Sequence, residues 1–374
     1  NLQFFHYFEF VILHSNLNRR WILCFSLLMA CSFQGLLAWG FYAHRLINRQ
    51  AVYSLPPELM VFFKPHLSYI TDKAVNPDRR RYAVKGEAEK HYIDLDIYGD
   101  SAVYKLPKFW KDAKALYDED SLRKYGISPW STYETFKNLS YAFERKDVQA
   151  ILRLAADLGH YLGDINVPLH STQNYNGQNT GQYGIHGFWE SRLPELYATE
   201  YDFFVGKASY VHSPQLEIWK AIEIAHHALD SVFGFEKVLT QEFPDDKKYS
   251  YEDRGNITTR VYSREFSNAY HQMLGGQVER QMRRTIKLIA DFWYSAWILA
   301  GQPDLGDLNP DKMQVPYEND SSYTPRDSLK HIREHRAYII DPEVLFWKNS
   351  GKYLYFWQAF QRYCERRPRF LPVG

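Results

Sequence analysis

Apolar residues recur along this chain at the spacing of a helix rather than a strand. Ala43, Ile47, Ala51 and Leu55 fall four apart and form one face of a helix. Pro56-Pro57 stops it, because proline has no N–H to continue the ladder. Residues 59–70 predict a second helical region broken at Pro65. Helical patterns resume over residues 110–116, 132–144 and 148–162, then over 215–233 and in two stretches between 258 and 299. Residues 74–104 carry Pro77, Gly86 and Gly99 and predict a long irregular loop, a kind of segment that is uncommon without a function. Residues 174–184, rich in Gly, Asn and Gln, predict another loop. No strand-period run or internal repeat stands out. The expectation is an all-α fold, a single multi-helix domain over residues 39–301.

The two flanks differ from this middle. Asn18, Arg19 and Arg20 precede an apolar run from Trp21 to Ala30, and the segment closes at Gly35-Leu36-Leu37-Ala38. The run is too short to span a bilayer. A positive start, a short apolar stretch and a small residue at the end predict a signal peptide over 1–38, removed by a cut after Ala38. The expected location is periplasmic or extracellular. Leu28-Met29-Ala30-Cys31 offers lipid anchoring at Cys31 as a weaker alternative, since Met fits that pattern poorly. Of the 3 cysteines, Cys24 and Cys31 leave with the signal and Cys364 remains alone. An exported chain without disulfides calls for another staple, and bound metal is one. Residues 302–374 form a C-terminal extension of unassigned role, rich in proline. Its aromatic patch at 353–360 lies beside Arg362, Arg366, Arg367 and Arg369, and suits docking on the domain or contact with a membrane surface.

Composition narrows the class. The 374 residues are 45% hydrophobic, enough for a sizeable core. Lys plus Arg (45) nearly cancels Asp plus Glu (44), so broad attraction to polyanions is not built in, although Arg79-Arg80-Arg81 is a local basic run. Tyr (29), Phe (24) and Trp (10) predict aromatic packing and a possible stacking wall for a substrate.

Candidate chemistry concentrates in residues 158–192. His160 and Asp164 are four apart, His170 follows, and His186 and Glu190 are again four apart. Such i, i+4 pairs place two donors on one helical face, close enough to grip one cation. If the cut falls after Ala38, Trp39 gains a free α-amino group that chelates together with its own carbonyl. His44 follows in WGFYAH, Asp78 in NPDRRR and His91 in KHYIDLD. Singly, each has a bland reading as a core histidine or a surface ion pair. Together, nitrogen and carboxylate donors without thiolate suit catalytic zinc. His66, His212, His226, His227, His271, His331 and His335 fit no ligand pattern.

In this order the residues resemble the zinc-dependent phospholipase C and S1/P1 nuclease superfamily: an N-terminal Trp and a following His, an HxxxDxxxxxH core and a later HxxxE/D pair. The resemblance covers roughly residues 39–305 and implies an all-helical, secreted enzyme with three zinc ions (Zn2+). It assigns one ion to Asp78, His91, His160 and Asp164. A second falls to His170, His186 and Glu190, and a third to Trp39, His44 and a bridging Asp164. Asp72 and Asp94 compete with Asp78 for its place. It also implies phosphate-ester hydrolysis by a zinc-bridging hydroxide attacking phosphorus in line, with Asp78 as a possible proton acceptor and Asp164 as the other catalytic residue. Glu190 in place of Asp, and Asn166-Val167 in place of His-Gln, favour the phospholipase C branch and a phospholipid substrate. The short Trp39-to-His44 spacing favours the nuclease branch and single-stranded nucleic acid. A non-catalytic, zinc-stabilised binding protein is a third reading.

Overall fold

The computed structural model of the protein describes residues 40–254, 257–306 and 308. The expected signal segment, Trp39, His331, His335 and nearly all of residues 302–374 lie outside the described residues. The chain runs through α1 (Phe41–Val52), α2 (Pro57–Phe63), α3 (Leu67–Lys73) and α4 (Asn76–Arg80), then two 3-10 turns, Ala88–His91 and Leu95–Tyr98. It continues through α5 (Ala102–Lys105), α6 (Trp110–Leu116), α7 (Glu119–Lys124), α8 (Ser128–Glu144) and α9 (Val148–Asp164). After the 3-10 turn Pro168–Ser171, α10 (Ile185–Gly187), a π turn (Phe188–Arg192) and α11 (Leu193–Tyr197) follow one another without a break. The remainder is α12 (Pro214–His227), α13 (Leu229–Glu242), β1 (Tyr249–Arg254), β2 (Ile257–Tyr262), α14 (Arg264–Met273) and α15 (Gln277–Leu299).

The expected all-α architecture holds, with three departures. Residues 74–104 are a chain of short helical turns rather than an irregular loop, pinned by the buried side chains of Ile93, Leu95, Ala102 and Val103. Residues 215–233 are not one helix. The chain bends at Ala228, where α12 ends and α13 begins. Strands β1 and β2 form an antiparallel hairpin, with Tyr249 opposite Tyr262 and Ser250 opposite Val261. No helix among the described residues is long and apolar enough to cross a membrane.

Helix α9 is the axis of the core. Asp147 caps its start by accepting from the Ala150 N–H at 3.0 Å, which satisfies a donor the helix cannot use. From Ala155 to Asp164 every residue is buried. The helix packs against α8, α15, α1 and α3. Trp293 of α15 is fully buried, donates from Nε1 to the Ala155 carbonyl at 3.1 Å and stacks on Phe63 with centroids 5.0 Å apart. Each such apolar side chain contributes about 1.5–3 kcal/mol by leaving water.

Glycines set how closely α1 lies on α9. A Cβ on Gly159 would fall 2.1 Å from Asn48 Oδ1, and one on Gly163 would fall 2.9 Å from the His44 ring. With neither present, Asn48 Nδ2 donates to the Ala156 carbonyl at 3.1 Å and His44 is brought against the end of α9. Two glycines one turn apart therefore place a polar ring beside Asp164.

Candidate metal centre

The predicted donors come from separate elements and meet at the C-terminal end of α9. That helix supplies His160 and Asp164, α1 supplies His44, α4 supplies Asp78, and the 3-10 turn Ala88–His91 supplies His91. The 3-10 turn Pro168–Ser171 gives His170, α10 gives His186 and the π turn gives Glu190. A π turn widens the helix by one residue and is often retained at functional sites. Here His186 Nε2 lies 2.7 Å from Glu190 Oε2.

The donors sort into three groups, each with ligand atoms within 4.8 Å of one another: Asp78, His91 and His160; His44, His160 and Asp164; and His170, His186 and Glu190. In the first region, His91 Nδ1 stands 3.1 Å from His160 Nε2 and 2.8 Å from Asp164 Oδ2. His160 Nε2 is 3.3 Å from the same Oδ2, and Asp78 Oδ1 is 3.7 Å from each ring. The other Asp164 oxygen faces His44 Nε2 at 3.4 Å, and His44 Nε2 is 3.5 Å from Glu190 Oε1. His170 Nε2 is 3.6 Å from Glu190 Oε2. Asp164 and Glu190 thus link the three groups. Asp72 accepts from Ser68 instead, and Asp94, though buried, lies in none of the groups, so Asp78 is the carboxylate of its region that joins them.

Three rings are fastened from behind. His160 Nδ1 donates to the Ala74 carbonyl at 2.9 Å, His186 Nδ1 to the Tyr175 carbonyl at 3.1 Å, and His170 Nδ1 to the His91 carbonyl. Each bond fixes the tautomer that leaves Nε2 as a lone-pair donor toward the cluster, the arrangement metal-ligating histidines adopt. The cluster also carries polar atoms without a hydrogen bond: Asp78 Oδ1, Asp164 Oδ1 and His44 Nδ1. Buried carboxylates without partners are costly unless a cation accompanies them. The residues therefore fit metal ions.

Electrostatics agree. Burial opposes protonation of His44, but hydrogen bonds and charge from Asp164 and Glu190 outweigh it and push the ring up to about 10. His170 is raised in the same way, against its burial, by Asp164 and Glu190. Burial dominates at His91, which falls to about 4, and at His186, which is lowered. Burial would raise Asp164 and Glu190, yet the histidines around them hold both well below the usual carboxylate range. These carboxylates stay ionised and demand positive charge.

One further group was not anticipated from the sequence. Arg81 is buried, and its Nε, Nη1 and Nη2 make no hydrogen bond, although Asp78 Oδ1 lies 3.6 Å from Nη1. Arg79-Arg80-Arg81 is therefore not a solvated basic patch. Arg79 lies over the Phe41 ring, Arg80 pairs with Asp157 and Glu87, and Arg81 turns toward the cluster. The available signal was the spacing of Asp78 and Arg81, three apart on one short helical face. The side chain of Asp78 is 11% exposed, whereas those of His44, His91, His160, Asp164, His170, His186 and Glu190 are at most 5% exposed, so Asp78 is the donor nearest solvent.

No family model matches the chain. A probable serine protease of Bradyrhizobium tropiciagri is 25% identical over 254 residues, 59% of this chain, and the chain spans only 31% of that relative. The Ser171–His226 contact of 3.0 Å is no activated nucleophile, because the buried Ser171 hydroxyl donates to the Pro168 carbonyl at 2.7 Å and so receives from the ring. Among solved structures, the fold is similar to the alpha toxin of Clostridium absonum (11% identity, TM-score 0.41) and to a Clostridium perfringens alpha-toxin (13%, 0.41). In each case the match covers 72% of this chain and 66% of the toxin. A likeness this distant assigns no activity.

Proposed function

We propose that this chain is an exported hydrolase of phosphate esters that uses three zinc ions and acts on phospholipids. The observation that carries the reading is Arg81. A buried guanidinium with no hydrogen bond, beside converging metal donors, is built to receive an anionic oxygen, and a phosphoryl group supplies one in the required geometry.

The donor set supports zinc. Around Asp78, His91, His160 and Asp164 the separations given above run from 2.8 to 3.7 Å. Metal–ligand bonds of 2.0–2.1 Å in a tetrahedron require edges of about 3.3 Å. His170, His186 and Glu190 are three protein ligands, which leaves a coordination position for water or substrate, as catalytic rather than structural zinc sites do. In the third group His44 and Asp164 would be joined by the amino and carbonyl groups of Trp39 after cleavage behind Ala38. A Cβ on its neighbour Gly40 would fall 3.4 Å from Glu190 Oε1, so the chain enters α1 beside the cluster.

Zinc, when bound, supplies Lewis-acid polarisation of the phosphoryl group and lowers the pKa of an attacking water toward neutrality. The chain's own residues do the rest. Arg81 donates to a non-bridging oxygen and offsets charge that grows in the transition state. Asp78, at the open side, accepts the proton of the attacking water. The carbonyl-fastened rings hold the constellation rigid, so little reorganisation accompanies reaction.

For the substrate, Tyr42, Tyr82 and Val84 are exposed on the segments that bear His44 and Arg81. Apolar and amphipathic side chains there suit a lipid interface. Single-stranded nucleic acid is the alternative, because the same rings stack bases. The deciding experiment compares hydrolysis of phosphatidylcholine vesicles with that of single-stranded DNA and RNA by the mature protein, with and without chelator. Chelator-sensitive lipid hydrolysis is expected. Activity on nucleic acid alone overturns the lipid assignment, and activity on neither substrate leaves a zinc-stabilised binding protein. N-terminal sequencing of the exported protein checks that Trp39 comes first.

A further inference from the structure

His91 is turned the opposite way from its neighbours. His44, His160, His170 and His186 approach carboxylates of the cluster through Nε2, whereas His91 presents Nδ1 to Asp78, Asp164 and His160. Its Nε2 therefore points away, toward Glu87 Oε1 at 4.0 Å, within ion-pair range but longer than a hydrogen bond. Both residues are buried, His91 at 0% and Glu87 at 2% exposure.

Glu87 does not stand there by chance of the fold. Oε1 accepts from the Tyr161 hydroxyl and from Arg80 Nη2 at 3.2 Å, and Oε2 accepts from Lys90 Nζ at 3.0 Å. Arg80 in turn donates to Asp157 at 3.0 and 3.3 Å. Two cations, Arg80 and Lys90, balance two carboxylates, Glu87 and Asp157, so no net charge is left buried. It also joins every element of the first donor group. Arg80 is two residues from Asp78. Glu87 is one turn before His91. Asp157 and Tyr161 alternate with His160 and Asp164 along α9, the first pair facing the network and the second facing the cluster.

We propose that Glu87 is the positioning residue of His91, a carboxylate behind the ring that holds Nδ1 toward the cluster and raises its strength as a ligand. The proposal rests on the metal reading above. Carboxylates hydrogen-bonded to a ligating histidine typically govern affinity by about 10–100-fold, and Glu87 at 4.0 Å acts on the ring through its charge.

The test uses the full mature chain, wild type and Glu87→Gln, the latter keeping shape while losing charge. Zn2+ and Co2+ affinities are measured by competition with a chromophoric chelator, and the visible spectrum of the Co2+ form reports the ligand field. The expected result is one ion weakened about 10–100-fold, the other two unchanged, and an altered Co2+ band. Thermal unfolding of the metal-free variant should match metal-free wild type. Unchanged affinity for every ion overturns the role. Equal weakening of all three with a destabilised metal-free form also overturns it, since Glu87 would then only hold the fold. Should Glu87→Gln fail to fold, Asp157→Asn, one link further back, is expected to weaken the same ion to a lesser degree, and no loss there counts against the network. A wild-type chain that binds no metal removes the metal reading itself, a result distinct from failure of the Glu87 assignment.

Discussion

Replacing Asp164 by asparagine tests the centre most severely, because one carboxylate is shared between donor groups. Its Oδ2 serves His91 and His160 at 2.8 and 3.3 Å, and its Oδ1 faces His44 at 3.4 Å. Asparagine keeps the volume but offers a neutral oxygen and an NH2 group that repels a cation. Two ions should be lost, while His170, His186 and Glu190 keep theirs. An ion present at 100 times its Kd adds about 2.7 kcal/mol to stability, so two lost ions remove about 5 kcal/mol. For a domain of this size that corresponds to a fall in Tm of about 10–20 °C. The assay is metal content by atomic spectrometry together with thermal unfolding at fixed free zinc and after chelation. Wild type should hold three ions and Asp164→Asn one, with the large Tm gap present in zinc and mostly abolished by chelator. Retention of three ions, retained phosphodiester hydrolysis, or an equal Tm gap after chelation refutes the shared role.

Three other outcomes follow from the geometry. Arg81→Met should lower kcat by about 100–1,000-fold with metal content unchanged, as measured by steady-state kinetics and metal analysis, since only a transition-state donor is removed. Gly163→Ala should cost about 1–3 kcal/mol in denaturant unfolding, because its Cβ meets the His44 ring at 2.9 Å, and should weaken the ion held by His44 while sparing the one at His186. In metal-free protein, His44 is raised from 6.5 to about 10, so its contribution to stability is full below pH 6.5 and is lost as pH rises toward 10. Tm of the chelated protein should therefore fall across that window, and His44→Gln should flatten the slope.

Much of the helical frame was legible because local signals were strong. Trp110–Leu116 lies where the apolar spacing put it, and Pro65 separates α2 from α3 as proline geometry requires. The bend at Ala228 was not legible. Ile218, Trp219, Ile222 and Ala225 lead on to Val232 with no glycine or proline to mark the change at Ala228, so tertiary packing decides it. The hairpin did leave a trace, Gly255-Asn256 followed by Thr258, Thr259, Val261 and Tyr262, which the dominant helical period masked. Donor residues were legible as spacing, and the structure brings His44, Asp78, His91, His160, Asp164, His170, His186 and Glu190 together. What spacing could not convey is orientation. That Arg81 faces inward, and that His91 is reversed with Glu87 behind it, depends on contacts between segments about 70 residues apart in sequence, such as His91 with His160.

Helix α9 has a consequence for how homologous chains can diverge in length. Asp157 and Tyr161 form one row along the helix, and His160 and Asp164 form the adjacent row on the same face. Each residue of an α-helix advances about 100° around its axis. Inserting one residue between His160 and Tyr161 would turn one member of each pair away from its partners at once, and an insertion elsewhere within 157–164 would split one of the pairs. Residues 176–184, which contribute neither these donors nor the Tyr175 carbonyl that holds His186, are under no such constraint. Natural variants of this architecture should therefore keep the 157–164 segment fixed in length while residues 176–184 accept additions and losses.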